Sequence, residues 1–245
     1  STRQDLEAFR DSVNNGNTYQ GETITQTANI DLEGNESNQW TPIGNYKANN
    51  GLYFAGTYNG NYKNISNLYI KTNDRNNGLF GKNSGCISNL LLENVNFKVA
   101  GSSGAVCGYN QGTISNCGTR NGEIITTAEE ARTGGVVGVN CGTIQNCYNS
   151  ANVKAEEYET ASRHLGGIVG FNGEESGLTG KVLNCYNTGT VIGDGYVGGI
   201  VGTVYTGSSV SKCYNIANIE GNLAFGSLIG TQYIEKKKKI TYNYY

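Results

Sequence analysis

GGVVGVNCGTIQNCYN, residues 134–149, decides how this chain folds, because both of its halves return down the sequence. GLFG (78–81) precedes ISNL (87–90), AVCG (105–108) precedes ISNC (114–117), and GGVVG (134–138) precedes IQNCYN (144–149). GGIVG (166–170) then precedes VLNCYN (182–187), and GGIVG (198–202) precedes VSKCYN (210–215). A degenerate copy opens at NISNL (64–68) and another closes at GSLIG (226–230). A short unit repeating at this interval cannot bury its apolar face alone. It stacks on its neighbours as the rungs of a solenoid.

The composition agrees with a repeat array. The chain has 36 Gly, 1 Pro, no Met and 17 Tyr in 245 residues, far from an ordinary globular mixture. Glycine is expected to supply rung turns that need positive φ. A formal charge of -2 gives no field that draws in nucleic acid or an anionic membrane. No apolar run is long enough to span a bilayer, so no membrane insertion is expected. The absence of an initiator Met fits an exported protein whose leader is gone, or a fragment of something longer, and the chain is expected to be a monomer or part of a longer chain.

Seven cysteines leave at least one unpaired. Cys117, Cys147, Cys185 and Cys213 share a repeat column in which Leu68 and Leu90 stand in earlier copies. A column that exchanges Cys with Leu is an interior apolar column. Sulfurs stacked about 4.8 Å apart on parallel Cβ vectors do not match disulfide geometry, so a reduced ladder is expected. Cys107 replaces Val137, Val169 and Val201 in the same way.

Residues 2–15 differ from the rest. A capping-box-like start and Leu6, Phe9 and Val13 on one face predict a short amphipathic helix. With TITQTANIDLEG (23–34) it is expected to cap the open end of the stack within residues 1–50, and Trp40, Pro42 and Ile43 lead into the β-helix of 51–245. Its first rung lies near Tyr53 to Gly60, and about six or seven rungs are expected in all, within one domain. Each rung is read as three strands: the hydrophobic-Val pair between glycines, Ile-x-Asn-Cys-Tyr, and a short piece such as Asn152-Val153, Thr190-Val191 or Asn218-Ile219. Asn146 is the natural bend, because Asn tolerates the left-handed region, and Asn67, Asn89, Asn116 and Asn184 are assigned to its column. Stacked amides can bond along the axis. Extra residues at 125–133, 154–165 and 173–180 are insertions, where repeats often carry a binding face.

GLFG (78–81) and its GGxVG relatives ahead of I-x-N-C/L resemble the GLUG repeat of bacterial surface proteins. The segment 30–70 is similar to the region that precedes the catalytic domain in immunoglobulin-A-specific metallopeptidases, and to proteins assigned as adhesins. This resemblance implies an all-β, right-handed parallel β-helix with an N-terminal α-helical cap, secreted or on a bacterial cell surface.

The chemistry of such a peptidase is missing. Its zinc helix needs H-E-x-x-H, and this chain has one His, His164, read as an ordinary loop residue. A polysaccharide hydrolase on a β-helix needs carboxylates about 6.5–9.5 Å apart on one face. Glu93, Glu123, Asp194 and Glu220 do not share a column of neighbouring rungs, while Glu156, Glu157, Glu159, Glu174 and Glu175 cluster in two insertions. The Asn-Thr-Asp and Gly-His-Gly motifs of polygalacturonases are absent. The double glycines lack the Asp of calcium solenoids, so no metal or cofactor is expected. Gly193 to Gly198 matches G-x-G-x-x-G between two strands and reads as a turn. Lys236 to Lys239 reads as a solvated loop or as protection of the end. The candidate binding surface is Tyr148, Tyr186 and Tyr214 with Glu156, Glu157, Tyr158, Arg163 and His164 of the longest insertion. Its partner is expected to be a host protein or glycan. A noncatalytic, adhesin-like module is the leading expectation, with a polysaccharide-processing enzyme and a plain stalk as rivals.

Overall fold

The structure, a computed structural model, describes residues 1–45, 51–156 and 163–233. It is a parallel β-solenoid of about six turns with one helix at the N-terminus. A six-stranded sheet stacks Phe80–Asn83, Cys107–Asn110, Val137–Asn140, Val169–Asn172, Val201–Val204 and Ile229–Gln232. A five-stranded sheet stacks Ser102–Gly104, Arg132–Gly134, His164–Gly166, Tyr196–Gly198 and Ala224–Gly226. The third, broad sheet collects the remaining strands, of which Cys86–Val99 is the longest. Register places like over like. Ile144 lies between Ile114 and Val182, and Val137 between Cys107 and Val169. These side chains are buried and form the core.

The Gly-Gly-Val-Val-Gly motif is not one strand, as its apolar centre predicts, but a corner. Arg132–Gly134 belongs to one sheet and Val137–Asn140 to the next, with Gly135 and Val136 between them. Nor do its glycines supply positive φ. They are forced by close approach: a Cβ on Gly135 would lie 2.3 Å from the side chain of Asn149 and 2.3 Å from the carbonyl oxygen of Gly167.

Positive φ is instead carried by asparagine. Asn89, Asn116, Asn146 and Asn184 have φ of 55°, 52°, 55° and 54°. Their amides form a continuous ladder at 3.1, 3.1 and 2.7 Å, which continues from Asn89 to Asn59 at 3.0 Å. Asn67 is not in this column, and Leu68 is not in the column of Leu90. Ile65 and Ser66 pair with Leu92 and Glu93, while Tyr58 and Asn59 pair with Ile87 and Ser88. NISNL (64–68) therefore belongs to a second left-handed corner, occupied by Asn67, Asn94 and Asn121 at φ of 57°, 53° and 61°. Both bends need an apolar residue, a polar residue, a left-handed Asn and an apolar or small residue, so one sequence word serves two places.

Two further amide ladders run inside the solenoid. Asn83, Asn110, Asn140 and Asn172 bond in series at 2.8, 2.9 and 2.8 Å, and Asn149, Asn187 and Asn215 at 2.8 and 2.9 Å. Each buried amide thus finds partners along the axis, which a buried polar group requires.

The helix spans Arg3–Asn14. Thr2 accepts from the Asp5 N–H at 3.2 Å, and the Asp5 carboxylate accepts from the Thr2 N–H at 2.8 Å. Leu6, Phe9 and Val13 are buried, and the Phe9 ring meets Tyr19, Phe54 and Tyr58 at 5.1, 5.6 and 5.9 Å. The helix thereby covers the apolar interior of the first rung. Asn14 Oδ1 accepts from the N–H groups of Gly44 and Asn45 at 2.8 and 3.0 Å and fixes the helix end.

All seven cysteines are free thiols. The Cys147 N–H points at Cys185 Sγ, and the Cys185 N–H at Cys213 Sγ, each at 3.4 Å. Burial pushes the Cys107 thiol up to about 12, and the Cys147 sulfur, with burial beside it, raises Cys185 to about 12 against the opposing effect of Cys213. A thiol held protonated is a poor nucleophile. Titration with a thiol reagent should therefore find seven thiols in unreduced, unfolded protein, and only exposed Cys86 reacting promptly in the native state. Fast native reaction of Cys147 or Cys185 would contradict the buried column.

Candidate functional site

The second left-handed corner shapes the outer surface of the broad sheet. Ser66, Glu93 and Arg120 lie side by side before the bend, and Tyr69, Asn96, Glu123 and Asn152 lie side by side after it. The bend between them is concave, a groove of about 560 Å³ lined by Gly34, Asn67, Asn94, Asn96, Glu123 and Asn152, with Val95 and Gly122 at its floor. Gly122 has φ of 95°, and a Cβ there would lie 2.0 Å from the Val95 carbonyl oxygen, so the floor admits no side chain. In later rungs the groove closes. Asn149 spans the same bend with one residue fewer, accepting from the Ala151 N–H at 3.0 Å and donating to its carbonyl at 2.8 Å.

Charge in this region is paired. Glu93 accepts from Arg120 Nε at 2.7 Å and from the Asn64 amide, and these donors, Arg120 first, hold its carboxyl below the usual range. Glu123 pairs with Lys154 at 3.0 Å, and Glu156 pairs with Lys98. The groove therefore presents amides between neutralised ion pairs.

In the sequence, Asn67 and Asn152 stand out only as structural positions and Glu123 only as a carboxylate, while Gly34, Asn94 and Asn96 do not stand out. The signal was present: Asn67 and Asn94 stand 27 residues apart, as do Glu93 and Arg120 one residue before Asn94 and Asn121. It was concealed by assigning Asn67 to the other Asn column.

Tyr148, Tyr186 and Tyr214 form a parallel stack on the same broad face, with centroids 5.3 and 5.2 Å apart and planes within 9° and 5°. The faces of the inner rings are turned to one another, leaving their edges outward. Glu157 and Tyr158 lie outside the described residues, as do Glu159 and Lys236 to Lys239.

Arg163 and His164 are not surface residues of the insertion. Arg163 is fully buried: its Nε donates to the Ala128 carbonyl at 2.7 Å, and Nη1 donates to Asp194 at 3.1 Å and to the Glu156 carbonyl. His164 begins the strand His164–Gly166 and is 9% exposed. It lies parallel to Tyr196 at 5.2 Å and edge-on to Phe171 at 4.9 Å, with Nδ1 2.6 Å from Thr203 Oγ1. The two residues return the chain from the insertion to the stack, so they pack as core.

Burial, aided by the nearby Arg132 charge, lowers the His164 pKa to about 4. An unfolded His takes up its proton near pH 6.5, whereas the folded one resists until about pH 4. The stability it contributes is therefore complete above pH 6.5 and is lost as pH falls through 4. Between about pH 7 and pH 4.5 the loss from this group is about 2 kcal/mol. Denaturant unfolding of a His164→Gln variant should show a stability decline smaller by about that amount; parallel declines in both proteins would refute the assignment.

The first insertion is shorter than the repeat arithmetic implies, whereas 173–180 lies wholly between the strands Val169–Asn172 and Lys181–Leu183, as expected. Gly118–Thr126 extends through 126 and Arg132–Gly134 starts at 132, so only 127–131 is loop in the first. The described residues Glu156 and Glu174 of the next two insertions belong to different corners of the stack. Glu156 follows a strand of the broad sheet and pairs with Lys98. Glu174 lies at the corner between Val169–Asn172 and Lys181–Leu183, where it accepts from Tyr109 Oη at 3.0 Å. Among the described residues no group of three or more His, Cys, Asp and Glu is placed to hold a metal ion. None of their helices is long and apolar enough to cross a membrane.

Comparison with known proteins follows the fold. Residues 161–192 match the family described as the GLUG motif. Halomucin of Haloquadratum walsbyi is 33% identical over 120 residues, 45% of this chain, and that alignment spans about 1% of halomucin's own length. A crystal structure from Bacteroides ovatus, described as "a putative immunoglobulin A1 protease", superposes with a TM-score of 0.63 at 20% identity, covering 99% of this chain and 78% of that one. At that identity the likeness is one of fold.

Proposed function

We propose that this GLUG-repeat β-helical protein is a noncatalytic, adhesin-like module of an exported protein, which engages its partner through the outer face of the broad sheet. The groove along the second Asn corner is the observation that carries this reading. It is a preformed concavity on a rigid stack, with polar groups converging on it from successive rungs. Catalysis finds less support. Glu93, Glu123, Glu156 and Asp194 each face a Lys or Arg, whereas glycoside hydrolysis needs two carboxyl groups facing one bond, one of them protonated. The resemblance to surface proteins supports an extracellular location, and the Tyr148, Tyr186 and Tyr214 edges extend the contact face beside the groove.

The test is to incubate the purified chain with a panel of polysaccharides and proteins, measuring retention and product release on the same samples. Retention without new reducing ends or peptide fragments is expected. Turnover that disappears in Glu123→Gln or Glu174→Ala would establish an enzyme instead.

A further inference from the structure

We infer that the groove between Asn94 and Asn96 binds an uncharged polysaccharide strand laid along the solenoid axis, an assignment that rests on reading the chain as a binding module. The lining chemistry selects the class. Asn67, Asn94, Asn96 and Asn152 offer amides, each with both donor and acceptor capacity, which is what a sugar hydroxyl also offers. Asn67 is engaged, donating to Asp31 at 2.8 Å and accepting from Asn94, but the other three keep much of that capacity unspent. No bond among the described residues engages the exposed Asn96 side chain, and Asn152 uses only its Oδ1, to accept from the Thr190 N–H at 3.2 Å. Asn94 donates one long bond of 3.4 Å to Asn67 Oδ1.

Charge argues for a neutral ligand. The carboxylates of Glu93 and Glu123 are each matched by a cation, Arg120 and Lys154, and a further carboxylate at the groove's edge, Asp31, accepts from the Asn67 amide and the Glu33 N–H, each at 2.8 Å, so nothing here attracts an acidic polymer. A divalent cation would find carboxylates already paired or hydrogen-bonded, among neutral amides. An apolar ligand would find four amides and little hydrocarbon.

Geometry argues for a polymer. The lining comes from successive rungs, in the order Asn67, Asn94 with Asn96, Glu123, and Asn152, and rungs repeat about every 4.8 Å. Such a row matches the repeating hydroxyls of a chain better than those of one sugar. Tyr69, in register beside Asn96, supplies a ring at one end against which the C–H face of a pyranose can lie.

A glycan array probed with the full chain, followed by titration calorimetry with the neutral polysaccharides it selects, tests the assignment. Binding to at least one neutral glycan, unchanged by EDTA, is expected. Asn96→Trp fills the groove from an exposed position and should weaken binding at least tenfold without moving the melting temperature. Leu223→Ser, at an exposed position in the last rung, should bind like the parent. An array with no neutral ligand, binding confined to acidic glycans, or binding that needs calcium overturns the assignment. Full binding by Asn96→Trp with loss in Tyr214→Ser also overturns it, while leaving the binding-module reading intact on a different surface. Turnover of the bound glycan would sink the noncatalytic reading while leaving the groove assigned.

Discussion

Gly167→Ala should destabilise the solenoid by about 3 kcal/mol or more, lowering the melting temperature by roughly 10 °C, although it adds a single methyl group. That methyl carbon would stand 2.2 Å from Asn187 Cγ and 2.2 Å from the Gly199 carbonyl oxygen. Neither can retreat. The Asn187 amide is bonded within its rung to Gly189 and along the axis to Asn149 and Asn215, and Gly199 is the next rung's own corner. The two halves of the repeat are thus mechanically coupled: the second glycine of Gly-Gly exists to admit the Asn of Cys-Tyr-Asn. Gly135 faces Asn149 and Gly199 faces Asn215 in the same way. One rung breaks the pattern on both sides, with Ala105 at the glycine position and Thr119 in the Asn column. The double variant Gly167→Ala with Asn187→Thr should therefore recover part of the loss. Thermal melts of the two single variants and the double form the cycle, and strict additivity would disprove the coupling.

Arg163→Ala should cost about 3–5 kcal/mol, because it removes a fully buried guanidinium from an ion pair and from two backbone carbonyls. Arg163 has no exposed surface, and its bonds tie together three pieces of chain: the Ala128 carbonyl, the Glu156 carbonyl and the Asp194 carboxylate. Gly195 is closed to side chains by the same knot, since a Cβ there would meet the Arg163 carbonyl oxygen at 2.2 Å. Lysine cannot reproduce a fork that reaches both a carbonyl and a carboxylate, so Arg163→Lys should also be strongly destabilised. Chemical denaturation of Arg163→Ala, Asp194→Asn and the pair checks this. A single-variant loss under 1 kcal/mol would mean that the ion pair is incidental.

The solenoid was legible because each rung repeats the same physical problem. Ile114, Ile144 and Val182 recur where the interior must be apolar, and Asn116, Asn146 and Asn184 where the backbone must turn left-handed. Spacing alone reads such columns. It does not say which side of a residue is crowded. Gly135 and Gly167 look like flexible turns in sequence, yet they are glycine because Asn149 and Asn187 occupy the space of a side chain. Arg163 and His164 look like the end of a charged loop, and only the fold shows that the loop has already re-entered the stack. The groove stayed hidden for a third reason. Asn67 and Asn89 sit in nearly identical words, and strand register, set by pairing across rungs, assigns them to different corners.

This division bears on function. Residues that define the repeat are engaged in holding rungs together, through the Asn ladders, the sulfur column and the glycine corners. The groove on the outer face of the broad sheet lies where the early rungs carry one residue more than the later ones. Hydrogen exchange of the full chain, with and without a saturating neutral polysaccharide, tests this most directly. Added protection is expected first and most at segments 93–97, 120–124 and 150–154, which border the groove. Protection at the 173–180 corner, or along the tyrosine stack with none at 93–97, would contradict it.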